Sequence, residues 1–181
     1  MIKLDKMTIN FFFKKDAYKC LSNFWECQVI VGSREYDSGE HCFHGEKFIR
    51  IGELCRDEKR KQALLEYGQK FLKGTTEKNG NVIKKMGRKF VLTTAELELW
   101  SKISIDVQIE ICKYKYEHYD IVRKDLHKSR GNLLIHPAMR CSDEKVKDRL
   151  WEGRAIVVDG QLTIIGKNML GNLWMDLRDN L

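Results

Sequence analysis

The chain has 181 residues, of which 43% are hydrophobic and 33% charged, a composition that buries a core without staples and argues against a disordered or fibrous chain. No apolar run approaches a membrane span and the N-terminus lacks the apolar core of a secretory signal, so a cytoplasmic protein with reduced cysteines is expected. The net charge of +7 favours anionic partners, and eleven Lys or Arg against five Asp or Glu between residues 53 and 89 make the excess largely local. The same excess is also compatible with a solvated helical surface.

In chain order, residues 7–13 are aromatic and β-branched and predict a short buried strand. Ser22-Asn23 is turn chemistry that presents Asn23, Phe24 and Trp25 either to a pocket or to the core. Residues 26–31 alternate as a strand, Gly32-Ser33 turns, and Arg34–Asp37 is expected to lead directly into a helix. That helix begins near residue 38, with Ser38 or Asp37 accepting the first free backbone N–H groups. At about 100° per residue, Glu40, Phe43, His44 and Lys47 fall within roughly one 100° arc and share a face. A carboxylate, an imidazole and an ammonium beside an aromatic ring suit neither a core nor a solvated flank.

Helical spacing continues unevenly from Leu54 to Leu72, breaks between Gly74 and Gly80, and resumes in a basic segment over 81–90. Thr94 is expected to cap the strongest helix, whose stripe runs through Trp100, Ile103, Val107, Ile111 and Tyr114. Another helix covers Tyr119–Lys128 and a short strand Leu133–Ile135. Ser142 is expected to cap a helix running to about Trp151, closed by Gly153. Ala155–Ile165 reads as a hairpin about Asp159-Gly160, and a last helix starts at Asn168. Helices outnumber the short strands, which predicts a single helix-rich α+β domain over residues 1–181. His41, Cys42 and His44 point in different directions on a helix and no second ligand pair stands at zinc spacing, so neither a metal nor a cofactor is expected.

Several segments, in order, resemble the NADAR family, also called YbiA-like proteins. They are Ile9-Asn10-Phe11-Phe12, Leu21-Ser22-Asn23-Phe24, Glu40-His41-Cys42-Phe43 through Lys47-Phe48, and Met86-Gly87-Arg88. Trp100 with Lys115-Tyr116, Asp148-Arg149-Leu150-Trp151, Gly166-Lys167-Asn168-Met169-Leu170-Gly171 and Leu173-Trp174-Met175-Asp176-Leu177-Arg178 continue the pattern. The resemblance implies a helix-rich YbiA-like fold and N-glycosidase activity. Some family members act on phosphoribosylated intermediates of riboflavin synthesis, and others remove ADP-ribose from guanine in nucleic acid. The chain departs from the pattern at His136-Pro137, where a glutamate is usual, and at Trp151-Glu152, where Trp-Gly is usual. The pocket wall over 136–152 is therefore expected to differ, which bears on substrate identity more than on reaction class.

Hydrolysis of an N-glycosidic bond needs a directed water and support for a cationic sugar ring. Glu40 is the candidate general base, a role that contributes roughly 10²–10⁴-fold; a dipole-stabilising glutamate at a helix start is the alternative. Asp148, placed by the resemblance, is the candidate for stabilising the oxocarbenium charge. Lys47 fits either a phosphate-pairing charge or an amine attacking the opened ribose. His44 is either a support or a core histidine. Trp100 and Trp151 fit opposite faces of a flat base, although Trp100 also fits the apolar stripe. Arg88 suits a phosphate fork. Gly166, Lys167 and Asn168 would present backbone N–H groups and an ammonium to an anion. Ser22, Asn23, Phe24, His41 and Gly171 complete the expected substrate-binding set. The expected reaction is removal of ADP-ribose from guanine bases in DNA or RNA. A riboflavin-intermediate N-glycosidase and a non-catalytic reader of ADP-ribose or NAD are the alternatives.

Overall fold

The computed structural model describes residues 8–11, 17–74 and 79–180. The elements run β1 (Thr8–Asn10), a 3-10 turn (Lys19–Leu21), β2 (Glu26–Val31), β3 (Arg34–Ser38), α1 (Gly39–Leu54), α2 (Glu58–Gln69), α3 (Gly80–Lys89), α4 (Thr94–His118), α5 (Asp120–Lys128), β4 (Leu133–Ile135), α6 (Asp143–Lys147), β5 (Arg154–Val158), β6 (Gln161–Ile165) and α7 (Met169–Asp179). Helices dominate and the strands pair two by two, as expected for a helix-rich α+β fold. Among the described residues, no helix is long and apolar enough to cross a membrane. The chain falls into two compact units, residues 23–115 and residues 116–181 together with the N-terminal segment to Ser22.

In the unit spanning 23–115, β2 and β3 form an antiparallel hairpin with Val31 opposite Arg34 across Gly32-Ser33. Residues 34–37 are therefore a strand and not merely an approach to the helix. Their alternation buries Tyr36 on the face shared with Val29 and Val31. These side chains join Phe48 and Ile51 of α1, Leu64 of α2, Phe71, Ile83 of α3, and Val107 and Ile111 of α4 in one core. The helix expected to span Leu54–Leu72 is broken at 55–57, where Asp57 caps α2 by accepting from the Arg60 N–H. The start of α4 also differs from expectation by one residue. Thr93 accepts from the Glu96 N–H at 3.3 Å, and Glu96 accepts from the Thr93 N–H at 2.7 Å, a reciprocal capping box.

In the other unit, β1 runs parallel to β4, pairing Thr8 with Leu133 and Asn10 with Ile135. Of the strand expected over 7–13, residues 7, 12 and 13 lie outside the described residues, as does the 75–78 part of the expected break. The β5–β6 hairpin turns through Asp159 and Gly160, both at positive φ, as an Asp-Gly turn requires. Helix α6 stops at Lys147, short of Trp151, and the Ser142 side chain makes no capping bond. Gly153 does not close that helix; its N–H donates to the His136 carbonyl at 2.8 Å and its carbonyl accepts from Ala138. On α7, the buried Trp174 donates its indole N–H to the Leu21 carbonyl at 2.9 Å.

Candidate functional site

Helix α1 is buried along nearly its whole length, charged residues included, and that is unusual enough to locate a site. Its start is over-determined. Asn23 accepts from the Glu40 N–H through its backbone carbonyl at 2.9 Å, and Ser38 accepts from the His41 N–H at 3.3 Å. The Ser38 hydroxyl also lies 2.8 Å from His41 Nδ1, so His41 belongs to the cap, and it is fully buried. The Asn23 side chain is fixed in turn by Gln108 of α4. Asn23 Nδ2 donates to Gln108 Oε1 at 2.7 Å, and Gln108 Nε2 donates back to Asn23 Oδ1 at 3.0 Å. Both amides are buried and matched.

Glu40, His44 and Lys47 occupy the shared face that the helical spacing predicts. His44 Nε2 stands 3.1 Å from Glu40 Oε1, with both residues more than nine-tenths buried. The opposite ring nitrogen, His44 Nδ1, has no hydrogen-bond partner among the described residues. It faces α3 at Gly87, where an added Cβ would sit 2.2 Å from it. The Lys47 ammonium donates to the Gly87 carbonyl and lies 4.5 Å above the Phe48 ring. Burial lowers the Lys47 pKa, and the neighbouring Arg88 charge lowers it further. Glu40 partly opposes both, leaving the amine at about 8. At pH 7 about a tenth of Lys47 is then the neutral amine.

Arg88 is exposed, with Lys85 and Lys89 also exposed on the same helix, and none of the three makes an ion pair among the described residues. Phe24 packs over Gly80 at the start of α3, beneath the Lys84 ammonium. Trp100 meets Phe43 edge-to-face at 4.9 Å between centroids and packs against the core. The core role allowed by its place on the apolar stripe is therefore occupied.

The remaining expected residues lie in the other unit. Asp148 is exposed and terminates α6. Trp151 is half-buried, and its carbonyl lies 3.2 Å from His136 Nδ1. His136 itself stacks on Phe11, with centroids 5.6 Å apart. Ser22 is buried at the end of the 3-10 turn. The Gly166–Asn168 segment corrects one expectation. Two of its three backbone N–H groups are not turned toward an anion: Lys167 donates to the Arg149 carbonyl at 2.8 Å and Asn168 to the Glu152 carbonyl at 3.1 Å. The Asn168 side chain accepts from the His136 N–H at 2.9 Å and donates to the Leu134 carbonyl at 2.8 Å, tying β4 to α7. Gly171 is required by the same close approach, since a Cβ would lie 2.2 Å from the Leu134 carbonyl oxygen. Lys167 is exposed.

Two residues of the site region escape sequence reasoning. Gln108 sits beside Val107 on the apolar stripe, and a polar residue next to such a stripe is the only signal it leaves. Glu46 is fully buried, accepting from Arg34 at 2.7 and 2.9 Å, Tyr36 at 2.6 Å and Arg50 at 2.7 Å. Burial raises its pKa, but these donors outweigh it and hold the carboxyl below the ordinary range. Its i,i+4 spacing to Arg50 hints at one pair; the other partners come from the hairpin. Among the described residues, no three His, Cys, Asp or Glu are grouped to hold a metal ion.

The geometry thus presents a carboxylate and a pKa-depressed amine on one buried helix face, clasped by an imidazole and a backbone carbonyl. Comparison with known proteins places this chain in context. A family model described as "NADAR domain" matches residues 11–181. The fold is similar to that of the E. coli protein YbiA, solved by NMR, with a TM-score of 0.60 and 24% sequence identity. That similarity covers 97% of this chain and 84% of the YbiA chain. No match is found among curated proteins.

Proposed function

The chain belongs to the NADAR family, and from that premise we propose that it is an N-glycosyl hydrolase that removes ADP-ribose from guanine bases. The observation that carries this reading is the Glu40–Lys47 face of α1. There a carboxylate and an amine with pKa about 8 are buried together and held by His44 and the Gly87 carbonyl. In this reading Glu40 accepts a proton from water as the oxygen bonds to the anomeric carbon, while guanine departs with the bonding electrons and takes up a proton. Lys47 acts in one of two ways. As an ammonium it stabilises negative charge on substrate phosphate or on the departing base. As the neutral amine it bonds to C1 of the opened ribose, guanine leaves protonated, and water then hydrolyses the imine and restores the amine. The depressed pKa favours the second role, because the neutral amine is already present near neutrality.

The preference for a nucleic-acid substrate is supported by α3. Its exposed Lys85, Arg88 and Lys89 lie on the helix whose Gly87 carbonyl holds Lys47. Cations so placed attract a phosphate backbone and make binding steeply salt-dependent.

The test incubates the protein separately with guanine-ADP-ribosylated DNA and with the phosphoribosyl pyrimidine intermediate, and identifies products by mass spectrometry. Release of ADP-ribose from DNA, lost in Glu40→Gln, is the expected result. Cleavage of the pyrimidine alone assigns the riboflavin-type substrate instead, and binding of both without turnover assigns a reader. Reaction in cyanoborohydride distinguishes the two lysine roles: an attacking amine leaves the sugar fragment's mass on the peptide bearing Lys47, and a purely electrostatic one leaves none.

A further inference from the structure

The unit that contains α5 and α7 holds a second concave feature, independent of the glycosidase reading. A cavity of about 230 Å³ is lined by Tyr116, Arg123, Leu126, His127, Arg130 and Arg178. Three guanidiniums and an imidazole form its polar lining, and among the described residues no carboxylate side chain lines it.

Two of the guanidiniums are fixed mainly by backbone carbonyls. Arg123 Nη1 donates to the Tyr116 carbonyl and, at 2.7 Å, to the Glu117 carbonyl at the end of α4. Arg178 Nη1 donates to the carbonyls of Ser129 at 2.9 Å and Asn132 at 2.8 Å, just beyond α5, and the residue is buried. Each also pairs with an exposed carboxylate, Asp120 for Arg123 and Asp179 for Arg178. Arg130 and His127 are exposed, and their side chains make no hydrogen bond or ion pair among the described residues. Arg130 lies near enough to Asp179 to share that carboxylate with Arg178, so three guanidiniums stand against two carboxylates, one positive charge in excess among the described residues. Arg123 and Arg178 are already ordered, so an anion joining Arg130 here loses less conformational entropy than at a loose arginine pair.

We infer that this cavity is a binding site for a phosphoryl group, with Arg130 and His127 as its direct ligands and Arg123 and Arg178 as its fixed wall. The size agrees with the class. At about 30 Å³ per water the cavity holds a handful of waters, and it is smaller than the roughly 300 Å³ at which pockets begin to enclose a drug-sized ligand. A single phosphoryl group fits within it. The phosphoryl group comes either from a free phosphate or from a phosphodiester of nucleic acid.

Amide NMR on the full-length ¹⁵N-labelled protein tests this, with sodium phosphate titrated against sodium chloride at equal ionic strength. A second arm titrates an unmodified single-stranded oligonucleotide. Shifts confined to residues 123–130 and 178, with phosphate affinity reduced roughly tenfold or more in Arg130→Ala with His127→Ala, are expected. Both substituted side chains are exposed and make no hydrogen bond among the described residues, so the double variant retains its fold, and its amide spectrum verifies that. Shifts from phosphate and not from the oligonucleotide assign a free phosphate; stronger shifts from the oligonucleotide assign the diester. No effect from either, shifts scattered over the surface, or binding unchanged in the double variant overturns the site. Because no glycosidase assay enters, a failure here is separate from a failure of the glycosidase reading.

Discussion

His44 and Glu40, one helical turn apart on α1, meet at 3.1 Å while both are buried, so the imidazole holds one oxygen of the carboxylate in a defined position. The first prediction concerns that oxygen. Glu40→Gln preserves the shape and the contact with His44 but removes the base, so kcat falls by roughly 10²–10⁴-fold. The urea unfolding midpoint of the variant does not fall. Rates of product release, measured beside that midpoint, check both halves.

Lys47 links catalysis to pH. Its folded pKa of about 8 lies below the ordinary lysine value of 10.5. Between those values the unfolded chain binds more protons than the folded one, so Lys47 contributes a stability that rises with pH across that window. Below the folded pKa the cost of burying the charge is complete, on the order of 3 kcal/mol. Lys47→Met is therefore expected to be more stable than the natural chain at pH 7 and to lose that advantage by about pH 10. It is inactive throughout. Chemical denaturation at a series of pH values reads the crossover.

Gly87 leaves no room for a side chain. In Gly87→Ala the new Cβ would stand 2.2 Å from His44 Nδ1, so the imidazole or α3 must move. Overpacking of this kind costs about 1–3 kcal/mol. Pairing it with His44→Ala restores most of the loss, a coupling that a double-mutant cycle of unfolding free energies measures.

Glu46 is the fully buried acceptor for three donors. Glu46→Leu leaves the buried Tyr36 hydroxyl without its acceptor and reduces Arg34 and Arg50 to their outer partners Glu53 and Glu110, which destabilises by about 1–3 kcal/mol. In the natural chain the folded-state pKa of Glu46 is lowered, so its contribution is present above the unfolded value of 4.5 and is lost as pH falls through the folded one. Glu46→Leu should flatten the acid limb of the stability profile. An unchanged limb would assign that limb to other carboxylates.

Much of this arrangement is legible in the amino-acid order, because helical geometry is local. The i,i+3,i+4,i+7 spacing of Glu40, Phe43, His44 and Lys47 places them on one face before any partner is known. Asp159-Gly160 likewise fixes a hairpin through its own backbone preferences. What escapes depends on partners far along the chain. The Asn23–Gln108 amide pair joins residues 85 apart, and nothing near Asn23 announces it. Thr93 outcompetes Thr94 as the cap because Glu96 completes a reciprocal pair only with Thr93. The Gly166–Asn168 segment resembles an anion cradle in sequence, yet the N–H groups of Lys167 and Asn168 are taken by carbonyls from residues 149 and 152.

The enclosure of α1 has a consequence for how specificity diversifies. Before its last two residues, Glu53 and Leu54, the segment has almost no free surface on which neutral substitutions accumulate. New substrate preferences must then be acquired on neighbouring elements whose side chains still reach solvent. Lys85, Arg88 and Lys89 on α3 meet that condition. A library randomised at those three positions should express well and spread in substrate choice, whereas one randomised along α1 should mostly fail to fold.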